Sequence, residues 1–139
     1  MSTTAELVEH RGGCHCGAVR FKLLAPDEVT IYNCNCSICD KKQNLHFMVQ
    51  KSNFEILEGE EHLTVYTFGT HMAQHTFCKI CGVQSFYTPR SNPDCYGVAP
   101  HCLDPGTMKS TSIENFDGKN WEKSFSTSDI TKHSKKTIP

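Results

Sequence analysis

Three cysteines stand within six residues at Cys34-Asn35-Cys36-Ser37-Ile38-Cys39, and no other stretch restricts the fold and chemistry of the chain so strongly. A thiolate is a soft ligand that suits zinc, and a tight turn can aim three sulfurs at one tetrahedral centre. The cluster supplies three ligands. Structural zinc is normally closed by four protein ligands, whereas catalytic zinc has three and keeps its last position for water or substrate. Two readings follow: a reaction centre with an exchangeable position, or a second closed site completed by His46, His101, Cys95 or Cys102.

The other cysteines extend the arithmetic. Cys14 and Cys16 form a C-x-C pair between glycines in Gly12-Gly13-Cys14-His15-Cys16-Gly17, and Cys78 and Cys81 form a C-x-x-C knuckle followed by Gly82. Glycine permits the backbone angles of such turns. The two pairs sum to the four ligands of a closed site, so Cys14, Cys16, Cys78 and Cys81 are assigned to one structural metal whose binding supports the fold. A lone C-x-x-C can be a redox pair, but three spaced groups argue for zinc, and the spacing is not a ferredoxin pattern. Two zinc ions per chain are expected. Cys95 and Cys102 remain, and a free cysteine usually serves as a small buried hydrophobe.

Compartment bears on this. No run approaches the ~18 apolar residues of a membrane span, and Met1-Ser2-Thr3-Thr4-Ala5-Glu6 lacks the basic and apolar regions of a signal peptide. A cytoplasmic or nuclear location is therefore expected, where the nine cysteines, an odd count, would be thiols before disulfides. The formal net charge of -1 offers no broad attraction for nucleic acid or an anionic membrane, so neither is an expected partner.

The chain of 139 residues fits one domain. Val19, Phe21 and Leu23 alternate with Arg20 and Lys22, the pattern of a half-buried strand. Further short strands are read at Val29 to Tyr32, Leu45 to Val49, Phe54 to Leu57, Thr76 to Phe77, Val83 to Tyr87, Tyr96 to Ala99, and around Ile113 and Phe116. Leu63-Thr64-Val65-Tyr66-Thr67-Phe68, rich in β-branched and aromatic residues, is the clearest. Asp40 to Asn44 reads as a helical turn or loop. The expected fold is mostly β, built of short antiparallel strands. Residues 1–10 are read as a polar, frayed segment, 11–123 as the zinc-binding domain with Trp121 packed near its end, and 124–139 as a weakly ordered tail.

The three motifs in order, Gly13-Cys14-His15-Cys16-Gly17, Cys34-Asn35-Cys36-Ser37-Ile38-Cys39 and Cys78-Lys79-Ile80-Cys81-Gly82, resemble the glutathione-dependent formaldehyde-activating enzyme family. Gln74-His75-Thr76-Phe77-Cys78 and Gln84 through Pro93 are similar in more detail to centromere protein V, an animal branch of that family. The likeness spans residues 11 to 123 and implies a zinc-bearing β-tent. It also implies structural zinc on Cys14, Cys16, Cys78 and Cys81, and catalytic zinc on Cys34, Cys36 and Cys39. Centromere protein V carries a long basic, proline-rich region before this domain, and about ten residues precede it here, so chromatin or microtubule binding through such an extension is not expected.

By the same resemblance the reactants are glutathione, or another small thiol, and an aldehyde such as formaldehyde. They join as S-hydroxymethylglutathione, and the reverse direction is carbon-sulfur lyase chemistry. An acid or base is needed for the aldehyde oxygen, and His46, His75 and His101 are candidates because histidine titrates near neutral pH. Gln84, Ser85, Tyr87 and Arg90 could hold a peptide-like substrate, Arg90 being suited to a carboxylate, while Phe86 and Tyr87 also read as plain strand packing. The competing reading is a non-catalytic, zinc-stabilised module related to centromere protein V that presents its surface to a protein partner.

Overall fold

The structure, a computed structural model, describes residues 6–118. The alternation around Phe21 produces the strand it predicts: β2 (Arg20–Ala25) turns Phe21, Leu23 and Ala25 inward and leaves Arg20 and Lys22 half-exposed. It lies between β1 (Val8–Gly13) and β5 (Phe54–Glu58) in an antiparallel three-stranded sheet. Phe21 stacks on Phe54 at 5.1 Å and meets Phe86 edge-on at 6.1 Å, so aromatic packing joins this sheet to the next.

The second sheet has five strands, in the order β10 (Ser110–Phe116), β3 (Glu28–Cys34), β4 (Leu45–Gln50), β9 (Cys95–Val98) and β8 (Phe86–Tyr87). One pairing departs from the antiparallel expectation. β10 runs parallel to β3 through seven positions, from Ser110 beside Glu28 to Phe116 beside Cys34. Parallel neighbours need a long crossover rather than a hairpin, which hides them from local sequence signals. Between β3 and β4 the chain forms a short helix, α1 (Ser37–Lys42), ended by Gln43 in the left-handed conformation (φ 54°). The main core gathers Val19, Phe21, Leu23, Ile31, Phe47 and Val98 between the two sheets, and Tyr32 and Phe116 make a smaller cluster against Cys34.

The run expected to be the clearest strand is shorter and more exposed than its composition suggests. Among the described residues β6 (Leu63–Tyr66) pairs only with β7 (His75–Cys78), and Val65 and Tyr66 are exposed. A two-stranded ribbon has little to bury its second face against, whatever its β propensity. Phe68 lies beyond the strand end.

The N-terminal segment is also more ordered than its polarity implies. β1 begins at Val8, and His10 is fully buried. Its Nε2–H faces the carbonyls of Ala25 and Pro26 at 3.2 Å each, which leaves Nδ1 to accept from the Thr107 hydroxyl at 2.7 Å. A satisfied histidine is thus a core residue in a stretch read as frayed. Trp121 and the tail from Ser124 lie outside the described residues.

Candidate functional site

The first cysteine cluster forms where two turns meet. Cys14 and Cys16 occupy the turn between β1 and β2, in which the Gly17 amide returns to the Cys14 carbonyl and Gly17 has φ 80°. Cys78 ends β7, and the Gly82 amide closes the next turn onto the Cys78 carbonyl at 2.8 Å, with Gly82 at φ 78°. Both glycines take a backbone conformation that side chains disfavour. All four sulfurs lie within 4.8 Å of one another, with Cys14 and Cys16 3.6 Å apart and Cys16 and Cys78 3.7 Å apart. Four thiolates at about 2.3 Å from a tetrahedral zinc are about 3.8 Å apart, so the donor set fits that ion. Main-chain hydrogen bonding, first at Cys16 and then at Val83, draws the Cys81 thiol down to about 6, toward the anionic form a metal requires.

The second cluster follows from the short helix. Cys34 closes β3, Cys36 is the N-cap of α1, and Cys39 lies one turn into it, so the C-x-C-x-x-C spacing places all three sulfurs on one side. They also lie within 4.8 Å of one another. Without a cation the three compete for protons: hydrogen bonds from Cys34 and then Cys39 pull Cys36 down to about 2, while the pairing with Cys36 lifts Cys34 to about 11, and contacts with Cys34 and Cys36 raise Cys39 too. A trio that can hold one thiolate alone, but three around a dication, fits a metal by its donor chemistry. Among the described residues no fourth cysteine, histidine or carboxylate joins this group. Cys95 and Cys102 are buried elsewhere, as expected of small hydrophobes.

Two groups found only in three dimensions complete the surroundings. The side-chain amide of Asn44, itself buried, donates to Cys39 Sγ at 3.5 Å. Gly118, just past β10, passes so close that a Cβ there would stand 2.6 Å from Cys36 Cβ and 2.7 Å from Cys34 Sγ. Separations under about 3 Å require one side to move, and forced overpacking typically costs about 1–3 kcal/mol. Gly118→Ala is accordingly expected to lower the melting temperature by several degrees and weaken metal retention at this trio, read by competition with a coloured chelator. Wild-type retention in the variant would show that the segment yields freely.

The trio opens onto a cavity of about 530 Å³, a size suited to a drug-sized ligand and far larger than formaldehyde alone needs. A sequence profile described as glutathione-dependent formaldehyde-activating enzyme matches residues 9–119, including all seven clustered cysteines. The chain belongs to this family. A Halomonas elongata protein provisionally named a glutathione-dependent formaldehyde-activating enzyme is 31% identical over 78 residues. The chain spans about half the length of that curated relative, and the match covers 50% of each. A crystal structure of a Rhodobacter sphaeroides protein superposes with a TM-score of 0.62 at 32% identity, covering 75% of this chain and 99% of that one.

In this formaldehyde-activating-enzyme-type domain the three candidate histidines have different surroundings. His46 lines the trio's cavity but is committed at both nitrogens: Nδ1–H donates to the Asn44 carbonyl at 3.3 Å, and Nε2 accepts from the Tyr87 hydroxyl at 3.1 Å. His75 lines the same cavity, is 2% exposed, and has a buried Nδ1 with no hydrogen-bond partner. Burial pulls both rings down to about 4, with nearby Lys42 as a further cause at His75, so both are neutral at pH 7. His101 is exposed on the turn Pro100–Cys102 and lines a different cavity with Lys42 and Gln84. Tyr87 and Arg90 also line the trio's cavity, whereas Gln84 accepts from Lys42 at 2.6 Å and lines the second one. Ser85 is buried.

Proposed function

We propose that the protein joins a small thiol, glutathione by family resemblance, to an aldehyde such as formaldehyde, and in reverse acts as a carbon-sulfur lyase on the adduct. The observation that carries this reading is the trio Cys34, Cys36 and Cys39, gathered at a ligand-sized cavity with no fourth protein donor beside it among the described residues. These three would hold the catalytic zinc, and Cys14, Cys16, Cys78 and Cys81 the structural one. When bound, a trio-held zinc with an available position favours the thiolate form of an incoming thiol, the form that is nucleophilic toward a carbonyl.

The chain's own residues supply the rest. Arg90 at the cavity can take a substrate carboxylate, and a planar guanidinium fits that group in bidentate fashion. The proton leaving sulfur must reach the carbonyl oxygen. Of the two cavity histidines, His46 is committed at both nitrogens, and we assign this transfer to His75, which lines the same cavity. Asn44, His46 and Tyr87 position the site: the Asn44 amide bonds Cys39, the Asn44 carbonyl bonds His46, and His46 bonds Tyr87. A cytoplasmic setting, where thiols stay reduced, suits both cysteine clusters and glutathione. Among the described residues no helix is long and apolar enough to cross a membrane.

The test is exchange at equilibrium. Isotope-labelled formaldehyde and S-hydroxymethylglutathione interconvert without a catalyst, and magnetisation-exchange spectroscopy measures that rate directly. The zinc-loaded protein at micromolar concentration is expected to raise it well above the spontaneous value, and an unchanged rate would remove the enzyme reading. The competing module reading draws on the exposed side of β6, where Val65 is 52% and Tyr66 49% accessible. It predicts partner capture that survives loss of the trio. The closer likeness to centromere protein V rests on Gln74 through Pro93 of the sequence.

A further inference from the structure

Five rings of the trio's cavity touch in series. Phe68 meets His75 at 5.8 Å between centroids, and His75 stacks on Tyr87 at 5.1 Å with planes 14° apart. Tyr87 meets His46 edge-on at 5.0 Å, and His46 lies 6.2 Å from Tyr32, whose neighbouring strand end bears Cys34. All five line the cavity. The rings come from separate elements, so the series is a tertiary feature and not a repeat in one strand.

The wall is closed at one end and open at the other. Tyr32, His46, His75 and Tyr87 are buried, whereas Phe68 is 39% exposed and stacks outward on Tyr66 at 5.7 Å. Phe68 lies between Tyr66 and His75, and its exposed part, together with the cavity sides of His75 and Tyr87, gives another flat ring an aromatic wall to pack along. The charges around it point the same way. Among the described residues that line the cavity, Arg90 is the only lysine, arginine, aspartate or glutamate. It can meet one carboxylate. Among the described residues no acidic side chain lines it to meet an ammonium group, so these residues match the polar ends of a tripeptide thiol only in part. Most of the remaining surface is aromatic or aliphatic, and formaldehyde would leave it uncovered.

We infer that the preferred adduct carries an aromatic or comparably flat apolar substituent on the carbon bonded to sulfur, packed along Phe68, His75 and Tyr87. This rests on the thiol-aldehyde reading above and narrows its substrate class. The step balances without an oxidant: an aldehyde RCHO and a thiol GSH give GS–CH(OH)R, a carbon-sulfur bond forms as the carbonyl π bond opens, and the thiol proton ends on oxygen. Cleavage returns both.

Stable thioethers separate recognition from turnover. Calorimetry on the zinc-loaded protein would compare S-benzylglutathione with S-methylglutathione, which differ in the group that stands on sulfur. Burying a phenyl ring against aromatic neighbours predicts that the benzyl compound binds about tenfold more tightly or better. Phe68→Ala should reduce that ratio several-fold and Phe68→Tyr, which keeps the ring, should preserve it; Phe68 is exposed enough for both to fold. Equal binding of the two thioethers, or a ratio untouched by Phe68→Ala, overturns the inference. If formaldehyde exchange is nevertheless accelerated, the thiol-aldehyde reading stands alone; if neither thioether binds and exchange is spontaneous, both fall.

Discussion

Cys78→Ala is expected to abolish cooperative folding near physiological temperature. The side chain is fully buried at the end of β7, opposite Leu63 of β6, and its sulfur meets Cys16 at 3.7 Å across 62 residues of chain. Backbone bonds between Gln74 and Thr88 and the stacking of His75 on Tyr87 hold one end of the β6–β7 ribbon, and the cysteine cluster holds the other. A two-stranded ribbon is marginal alone, and Val65 and Tyr66 of this one face solvent. A metal held by the four sulfurs would add to the burial of Cys78 and Leu63 by tying this end of the ribbon to the turn between β1 and β2. Zinc bound to folded peptide sites releases apparent free energies of about 10–16 kcal/mol, comparable with the whole stability of a domain at about 5–15 kcal/mol. Losing one of four ligands forfeits a large part of the first quantity and leaves little of the second. Thermal melts followed by far-ultraviolet circular dichroism would show a broad, low transition or none, and a strong chelator should drive the wild-type protein the same way. A variant melting within a few degrees of wild type would show that the cluster is incidental to the fold.

Seven of the residues that matter here were legible in the sequence because their spacing is local. A C-x-C or C-x-x-C turn sets its own sulfurs within reach of one ion, and the strand around Phe21 follows from alternation alone. Other features depend on partners far along the chain. Gly118 approaches Cys34 because β10 runs parallel to β3, a pairing no hairpin signal announces. His10 is buried because Thr107, 97 residues away, satisfies its ring. The three histidines looked alike as candidates since composition cannot show that His46 is engaged at both nitrogens, that His75 is not, or that His101 faces another cavity. The row of rings from Phe68 to Tyr32 was hidden for the same reason: each ring belongs to a different segment.

Cys36→Ser is expected to produce the opposite outcome to Cys78→Ala, a folded protein without turnover. Cys36 sits at the N-cap of α1, half-buried, and serine is a favoured residue at that position, so the helix loses little. The Asp40 amide bond to the Cys36 carbonyl at 2.9 Å is main-chain and survives the change. What disappears is the sulfur whose thiolate the other two cysteines stabilise most strongly. A hydroxyl is a poorer ligand than a thiolate for a soft or borderline metal, and two cysteines with a serine should retain the ion weakly. Metal analysis after dialysis is expected to fall from two zinc ions per chain to about one, with a melting temperature within a few degrees of wild type. Acceleration of thiol-aldehyde exchange should fall at least about 100-fold, in the range that loss of a key catalytic interaction produces. Serine restores shape and hydrogen bonding but not sulfur, so full exchange activity in this variant would place the chemistry elsewhere in the cavity. A collapse in melting temperature would instead make the trio a second structural staple, with the cavity beside it left to recognition alone.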